Sequence, residues 1–286
     1  MGDAPPDNGP LALICGGGTL PAAVAEAAIR AGRKVVLFPI RGWADAALVE
    51  RYPHCWLAVA QAGRFRRRAA AEGCRDVAFI GTARRPALRA LRLDWLALRL
   101  LPRIWRIYRG GDDHLLSGVL RLFEDHGFRV VAAHAVAPEI LMPAGSLGSR
   151  MPGPDDLVDI ARALALLRTI GPYDVGQAAV VAANHVLAVE AVEGTDEMLA
   201  RIADLRARGR IATPAGAGVL VKAAKPEQDR RIDLPTIGPR TVTEAAQAGL
   251  AGIAVLAGEA IVAEPHAVAA AADAAKIFVV GIGKPP

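Results

Sequence analysis

A short apolar run, Leu11-Ala-Leu-Ile-Cys15, leads directly into the glycine turn Gly16-Gly17-Gly18-Thr19. Such a run is typical of a buried parallel strand. Pro21 suits the first turn of a helix, which the sequence continues from Ala22 to Ala31. A second apolar run follows from Lys34 to Ile40. This strand–helix–strand order predicts a parallel sheet with right-handed crossovers.

The same alternation continues through the first half of the chain. Strands are predicted at Asp76–Gly81 and Arg129–His134. Helices are predicted near Phe65–Glu72, over Arg89–Tyr108 with a kink at Pro102, and over His114–His126. We therefore expect an α/β fold whose N-terminal domain is a Rossmann-like parallel sheet with helices.

The composition changes between Met142 and Asp156, where Pro, Gly and Ser are dense, as they are in linkers. We expect a loose N-terminus at residues 1–10, the Rossmann-like domain at 11–142 and a second α/β domain with a mixed sheet at 143–286. Its adjoining runs Gln177–Ala183 and His185–Val192 predict a hairpin. Further strands are predicted at Gly218–Ala223, Ile253–Leu256 and Ile277–Gly281, and helices at Asp155–Thr169, Asp196–Arg208, Thr241–Gly249 and Ala267–Ala275.

The composition excludes several classes of protein. Hydrophobic residues make up 53% of the 286 residues and charged residues 22%, which is typical of a globular protein and not of a disordered one. The three cysteines lack metal-ligand spacing and predict free thiols in a reducing compartment. The histidines do not cluster and no Gly-x-Ser-x-Gly elbow occurs, so neither a zinc protease nor a serine hydrolase is indicated. Without a signal peptide or a membrane-spanning run, we expect a cytoplasmic protein.

The glycine turn at Gly16, Gly17, Gly18 and Thr19 allows two interpretations. Backbone N–H groups at glycines and at a helix N-terminus can hold a phosphate, whereas the same glycines can serve only a tight turn. Binding of NAD is disfavoured, because Pro21 stands where a third glycine belongs and the second strand ends at Arg41 without an acidic residue.

A loop from Lys225 to Gly238 is broken by two prolines and holds four charged residues close together, Lys225, Asp229, Arg231 and Asp233. Lys225 and Arg231 are suited to hold a pyrophosphate. Asp233 is suited to bind Mg²⁺ or to orient a water molecule. The alternative is a surface loop with solvated ion pairs, which its position directly after an apolar strand makes less attractive.

Two acidic segments and one basic helix also have two interpretations each. Glu193 and Asp196 either complete a metal site with Asp233, or Thr195 or Asp196 caps the helix that follows. Gly111-Asp112-Asp113 either binds a ligand or compensates a helix dipole. The third segment is an arginine stripe that either contacts an anionic membrane or faces solvent; its members are Arg89, Arg92, Arg99, Arg103 and Arg106.

Six motifs follow one another along the chain: Gly16-Gly-Gly18-Thr-Leu-Pro21, Arg85-Pro86, Gly111-Asp-Asp113, Asp174-Val-Gly-Gln177, Glu193-Gly-Thr-Asp196 and Lys225-Pro…Arg231-Ile-Asp-Leu-Pro-Thr-Ile-Gly238. Motifs in this order resemble one family, the LpxI-type UDP-2,3-diacylglucosamine pyrophosphatases of lipid A synthesis. The similarity covers about Leu11 to Gly281. Ala135-Val-Ala-Pro138 departs from the acidic residue expected after His134.

The resemblance implies hydrolysis of UDP-2,3-diacylglucosamine to UMP and 2,3-diacylglucosamine 1-phosphate (lipid X). It implies Mg²⁺ as cofactor, attack of water at the phosphorus on the sugar side, and a site in a cleft between the two domains. It places the essential aspartate on Asp233. Together with the reasoning from the residues above, the expected metal ligands are Asp233, Asp196 and Glu193. The expected substrate-binding residues are Gly16, Gly17, Gly18, Thr19, Gly111, Asp112, Asp113, Gln177, Thr195, Lys225, Gln228, Arg231 and Thr236.

The expected partners follow from the same resemblance. A lipid-linked UDP-sugar is the substrate, the contact with the anionic inner membrane is peripheral, and no nucleic acid is involved. A homodimer is left open. Two other functions stay open as well, namely a nucleotide-sugar transferase and a non-catalytic protein that binds lipid or nucleotide.

Overall fold

The computed structural model describes residues 9–83, 92, 94–100, 102–103, 105, 112–226 and 228–283. The chain forms two compact units. The first comprises Met1–Pro138 together with Asp229–Asp233, and the second comprises Glu139–Gln228 and Leu234–Pro286. The α/β class with a parallel and a mixed sheet is confirmed.

The first unit is built on a parallel sheet of β1 (Leu11–Cys15), β2 (Val35–Pro39), β3 (Asp76–Ile80) and β4 (Arg129–Val130). The strand order is β2-β1-β3-β4, and all pairings are parallel, as predicted. β2 is added on one side of β1, and β3 and β4 on the other, so the strand order reverses between β1 and β3. In such sheets, ligands usually bind in the crevice beyond the carboxyl ends of the strands at this switch point.

Among the described residues, the helices around this sheet include α1 (Leu20–Arg30), α2 (Ala46–Val49), α3 (Ala62–Ala71), α4 (Trp95–Arg99), α5 (Asp112–Glu124) and α6 (Ala133–Val136). The predicted helix is wrong at Arg92 and Asp94, which are not helical: the carboxylate of Asp94 accepts the N–H of Ala97 at 3.0 Å, so α4 begins at Trp95. Several other residues of the predicted Arg89–Tyr108 helix, including Arg89 and Arg106, lie outside the described residues. The strand predicted to reach His134 ends at Val130, because β4 pairs with β3 only at Asp76 and Val77 before α6 begins.

The second unit has a six-stranded mixed sheet of order β5-β12-β10-β8-β6-β7. Its strands are β5 (Gly145–Ser146), β6 (Ala178–Ala182), β7 (His185–Val189), β8 (Val219–Lys222), β10 (Gly252–Leu256) and β12 (Phe278–Ile282), and a separate parallel pair joins β9 (Thr236–Ile237) to β11 (Ile261–Val262). β8, β10 and β12 are parallel, whereas β6 runs antiparallel to β8. The predicted hairpin is confirmed, because β6 and β7 pair antiparallel.

Helices cover both faces of this sheet, because successive side chains along a strand point to opposite faces and those of the central strands are apolar on both. Val219 and Val221 of β8 pack with the cluster under α7 (Pro154–Ile170), while Leu220 packs with the cluster on the opposite face. That opposite face carries α8 (Gly194–Ala207), α9 (Pro239–Gln247) and α10 (Pro265–Ala275). The second unit is therefore a three-layer α/β/α domain.

The segment expected to be a linker is structured. Gly145–Ser146 pairs antiparallel with Val280 and Gly281, and the N–H of Leu147 donates to Val279 O at 2.9 Å. A side chain at Gly281 would collide with the Pro143 carbonyl, so this glycine permits the close approach. The linker interpretation is wrong for these residues, because β5 forms an edge of the sheet.

Candidate active site

Polar residues of the second unit converge at one edge of its sheet. This edge carries the carboxyl ends of β8 and β7 and, because β6 is antiparallel to β8, the amino end of β6. Ala223, just after β8, donates its N–H to Gln177 O at 2.9 Å. The carboxyl ends of parallel strands are the usual place for ligands in α/β domains.

A chain of hydrogen bonds links three side chains and two backbone groups at this edge. Glu190 accepts the backbone N–H of Gln177 on Oε2 at 2.8 Å and the hydroxyl of Thr195 on Oε1 at 2.7 Å. The Lys222 ammonium donates to Thr195 Oγ1 at 3.0 Å and to the Thr236 carbonyl at 3.2 Å. The predicted residues Gln177, Thr195 and Thr236 are thus brought together, and Glu190 and Lys222 are the additional members of the group. We call this group the Glu190 network.

The Glu190 network depends on the close approach of the backbone at Gly176 to the backbone at Glu190. A Cβ on this residue would collide with the backbone carbonyl of Glu190, so only glycine lets the loop before β6 lie against the end of β7. The side chain of Glu190 then reaches the N–H of Gln177.

A second group surrounds Lys225, which is 6% exposed. Its ammonium forms an ion pair with Asp174, and its backbone N–H donates to Gln228 Oε1 at 2.9 Å. Asp174 has φ 53°, in the left-handed region that Asp tolerates better than most residues. The side chain of Gln228 therefore shapes the loop, and the charge of Lys225 is balanced by a residue that was not among the predicted site residues.

The segment Asp229–Asp233 belongs to the first unit, although its neighbours in sequence belong to the second. The carbonyl of Asp229 accepts the N–H groups of Ile232 and Asp233, both at 3.2 Å, which folds the segment into a tight turn. Asp233, the predicted catalytic residue, closes this turn and is partly exposed.

Arg231 is held by two carboxylates within that unit. Its guanidinium contacts Asp229 at 2.7 Å and Glu124 at 2.7 Å. Hydrogen bonding to Asp229 raises the pKa of Arg231, whereas burial acts in the opposite direction. Burial also raises the pKa of Asp229, but the hydrogen bonds and charge of Arg231 outweigh it, so that pKa lies below its usual value. Asp229 and Glu124 therefore balance the charge of Arg231 within the first unit.

The acidic residues predicted as metal ligands are paired with arginines. Glu193 contacts Arg201 at 3.1 Å, and Asp196 forms an ion pair with Arg240. Within either unit, the described residues contain no group of three or more His, Cys, Asp or Glu side chains that could hold a metal ion. Glu193 and Asp196 thus balance arginines in the second unit, and the Mg²⁺ site stays a prediction.

The alternative interpretation, in which Thr195 or Asp196 caps the helix, is wrong. Glu193 itself is the N-cap residue of α8 and forms no side-chain capping hydrogen bond. Thr195, which was expected to cap the helix, instead donates its hydroxyl to Glu190 at 2.7 Å.

The glycine turn of the first unit lies at the switch point between β1 and β3. Gly16 donates its N–H to Ile80 O at 2.8 Å, and Gly17 and Thr82 exchange hydrogen bonds of 2.8 and 2.9 Å. A Cβ on Gly16 would collide with the Thr82 carbonyl. These glycines allow two loops to touch, so their N–H groups are engaged in the turn and a phosphate contact is left to Gly18 and Thr19 as a prediction.

The structure describes only some of the remaining residues that were predicted to be functional in the first unit. Gly111 lies outside the described residues, and the backbones of Asp112 and Asp113 open α5 while their side chains are not described. In the arginine stripe, Arg99 lies 5.4 Å from the ring of Trp95, and Arg103 is paired with Asp125. Across the described ranges, no helix has the length and apolar character needed to cross a membrane.

Sequence reasoning missed Lys222, Glu190, Asp174 and Glu124 as members of these groups. A signal was available for Lys222, which is the only charged residue of β8 and stands at its carboxyl end. The other contacts join residues that are distant in sequence or side chains of ordinary acidic loops, and no local pattern distinguishes them.

Known proteins match this chain over nearly its whole length. Residues 10–140 match the LpxI N-terminal domain family, and residues 143–280 match the LpxI C-terminal domain family. The chain is also similar to the UDP-2,3-diacylglucosamine pyrophosphatase LpxI of Caulobacter vibrioides. The two are 45% identical over 272 residues, which cover 95% of this chain and 97% of that protein.

Proposed function

Because the chain belongs to the LpxI family, we propose that it hydrolyses the pyrophosphate of UDP-2,3-diacylglucosamine. The observation that carries this proposal is the 45% identity, over 95% of the chain, to a protein named for that activity. The polar edge of the second unit supports it, since a cationic group there adjoins the ends of parallel strands.

The products proposed are UMP and 2,3-diacylglucosamine 1-phosphate (lipid X), with water attacking the phosphorus on the sugar side. Cleavage of a pyrophosphate needs positive charge on the bridging and leaving oxygens and little covalent chemistry from the protein. The ammonium groups of Lys222, at the carboxyl end of β8, and of Lys225, three residues further on, are proposed to supply such charge in the second unit.

Asp233 is proposed as the catalytic aspartate and as a ligand of Mg²⁺. Its carboxylate suits this ion, which prefers oxygen ligands and is usually held by one or two carboxylates, water and substrate phosphates. The partial exposure of Asp233 is compatible with such a role. When bound, Mg²⁺ would supply charge to the phosphate oxygens. The contribution of the chain is to place the Asp233 carboxylate through the turn that Asp229 stabilises.

A single assay separates the proposed hydrolase from the alternatives. Purified protein is incubated with UDP-2,3-diacylglucosamine in the presence of Mg²⁺ or of EDTA, without an acceptor, and UMP is measured. We expect release of UMP with Mg²⁺ and a large loss with EDTA that Mg²⁺ restores. Release only after addition of an acceptor would indicate a transferase, and no turnover would indicate a binding protein.

The position of attack is tested by running the same reaction in ¹⁸O-labelled water. Attack at the phosphorus on the sugar side places the label in 2,3-diacylglucosamine 1-phosphate. Label in UMP would show attack at the other phosphorus and would contradict this part of the proposal.

A further inference from the structure

We propose that Glu190 is a positioning residue that, through the hydroxyl of Thr195, holds the ammonium group of Lys222 in place to bind the diphosphate of a nucleotide. The inference rests on the proposed function, because it concerns the diphosphate of that same substrate. It adds Glu190 and Lys222, which neither the sequence motifs nor the similarity to known proteins singled out.

The direction of the hydrogen bonds carries the argument. The hydroxyl of Thr195 has one proton, which it donates to the Glu190 carboxylate at 2.7 Å. Its oxygen therefore presents lone pairs, one of which accepts a hydrogen bond from the Lys222 ammonium at 3.0 Å. An ionised carboxylate only accepts and an ammonium only donates, so this chain of bonds has a single orientation.

The second oxygen of Glu190 explains why a carboxylate is needed. It accepts the N–H of Gln177 at 2.8 Å, so both oxygens receive donors at once. A glutamine at position 190 would offer one acceptor and one NH₂ group. Either Gln177 N–H or the Thr195 hydroxyl would then face a donor, and the orientation of the hydroxyl would no longer be set.

The location of Lys222 identifies the class of ligand. It is the last residue of β8, at the carboxyl end of the parallel strands, and its ammonium also donates to the Thr236 carbonyl at 3.2 Å. Ammonium groups at such ends bind phosphate oxygens as point charges. Its flexible four-carbon stem would let it move, and the bonds to Thr195 and Thr236 restrict it. A preformed cation loses less entropy when a diphosphate binds.

The experiment uses the full chain and measures two quantities, the turnover of UDP-2,3-diacylglucosamine and the binding of UDP by calorimetry. The variants are Thr195→Val, which keeps the shape and removes the hydroxyl, Thr195→Ser, which keeps the hydroxyl, Glu190→Gln and Lys222→Met. Glu197→Gln is the matched control, since Glu197 is an exposed acidic residue in the first turn of α8. Thermal unfolding of each variant reports on folding.

We expect Thr195→Val and Glu190→Gln to weaken UDP binding at least about tenfold, which corresponds to about 1.4 kcal/mol. Turnover should fall by a similar factor or more. Thr195→Ser should recover most of the wild-type behaviour, and Glu197→Gln should match it. In the Lys222→Met background, Thr195→Val should cause no further loss of binding, because the hydroxyl acts through the ammonium.

The two proposals fail in different ways. Wild-type turnover with normal UDP binding by Thr195→Val would overturn the positioning role and leave the proposed function standing. Loss of binding in the variants, in a wild type that binds UDP but releases no UMP, would overturn the hydrolase and support the positioning role. If the wild type does not bind UDP, or if Thr195→Val weakens binding equally with and without Lys222, the inference is wrong.

Discussion

Replacing Asp174 with Asn removes the charge that faces the buried ammonium of Lys225 while keeping the size of the side chain. Asn also tolerates the left-handed backbone of this position, where φ is 53°, so the substitution adds little backbone strain. The variant therefore isolates the electrostatic contribution of the ion pair in the second unit.

The burial of the two partners sets the expected magnitude. Removal of one partner from a fully buried ion pair costs about 3–5 kcal/mol, whereas an exposed pair is worth about 0–1 kcal/mol. The side chain of Lys225 is 7% exposed and that of Asp174 is 32% exposed. We expect the free energy of unfolding to fall by an amount between these limits, about 2 kcal/mol, which lowers the melting temperature of a unit of this size by about 4–8 °C.

The assay follows unfolding with two signals. All four tryptophans, at positions 43, 56, 95 and 105, belong to the first unit, so their fluorescence reports on that unit, while far-UV circular dichroism reports on both. We expect the dichroism transition to shift in Asp174→Asn and the fluorescence transition to stay in place. Asp204→Asn serves as the control, because Asp204 and Arg208 form an ion pair in the same unit with side chains 58% and 62% exposed. Its loss should stay below about 0.5 kcal/mol.

Two results would refute this reasoning. If Asp174→Asn is as stable as the Asp204→Asn control, the Lys225 ammonium does not depend on Asp174. If the fluorescence transition shifts by the same amount as the dichroism transition, the substitution acts on more than the second unit.

Asp233→Ala should lower turnover more than tenfold with an unchanged circular dichroism spectrum; retention of more than about a tenth of the rate, a barrier change of only about 1.4 kcal/mol, would contradict its catalytic role. Burial raises the pKa of Cys15 to about 12 and that of Cys74 to about 11, from 9.0. The contribution of these two thiols to the free energy of unfolding should therefore be fully present below pH 9 and be lost toward pH 11–12, as denaturant titrations can measure. Iodoacetamide should modify both thiols slowly in the native protein at pH 8. Finally, co-sedimentation with anionic vesicles should weaken in high salt, because the Debye length shrinks to about 3 Å at 1 M. It should weaken as well when glutamine replaces the stripe residues Arg92, Arg99, Arg103 and Arg106; equal binding to neutral vesicles would contradict this.

The sequence alone determined the α/β class, the strands of both sheets that are long and apolar, and the family. Runs such as Leu11–Cys15 and Gly252–Leu256 predict buried strands because a continuous apolar run can be recognised from the local sequence alone. The short elements β5, β9 and β11 were missed for the same reason, since two residues carry no periodicity and pair only when a distant strand is beside them. The motifs around Asp233 identified the family without any structural information.

Only the tertiary structure decided what the individual charged side chains contact. Lys222 and Thr195 are 27 residues apart, and Arg231 and Glu124 are 107 apart, so no spacing rule connects them. The structure also showed the partners of Gly16 and Gly17, whose N–H groups bond to a loop more than 60 residues away. Local sequence predicts a strand or a turn through backbone preferences and burial, whereas the partner of a charge or of an N–H group depends on which distant segments the fold brings within hydrogen-bond distance.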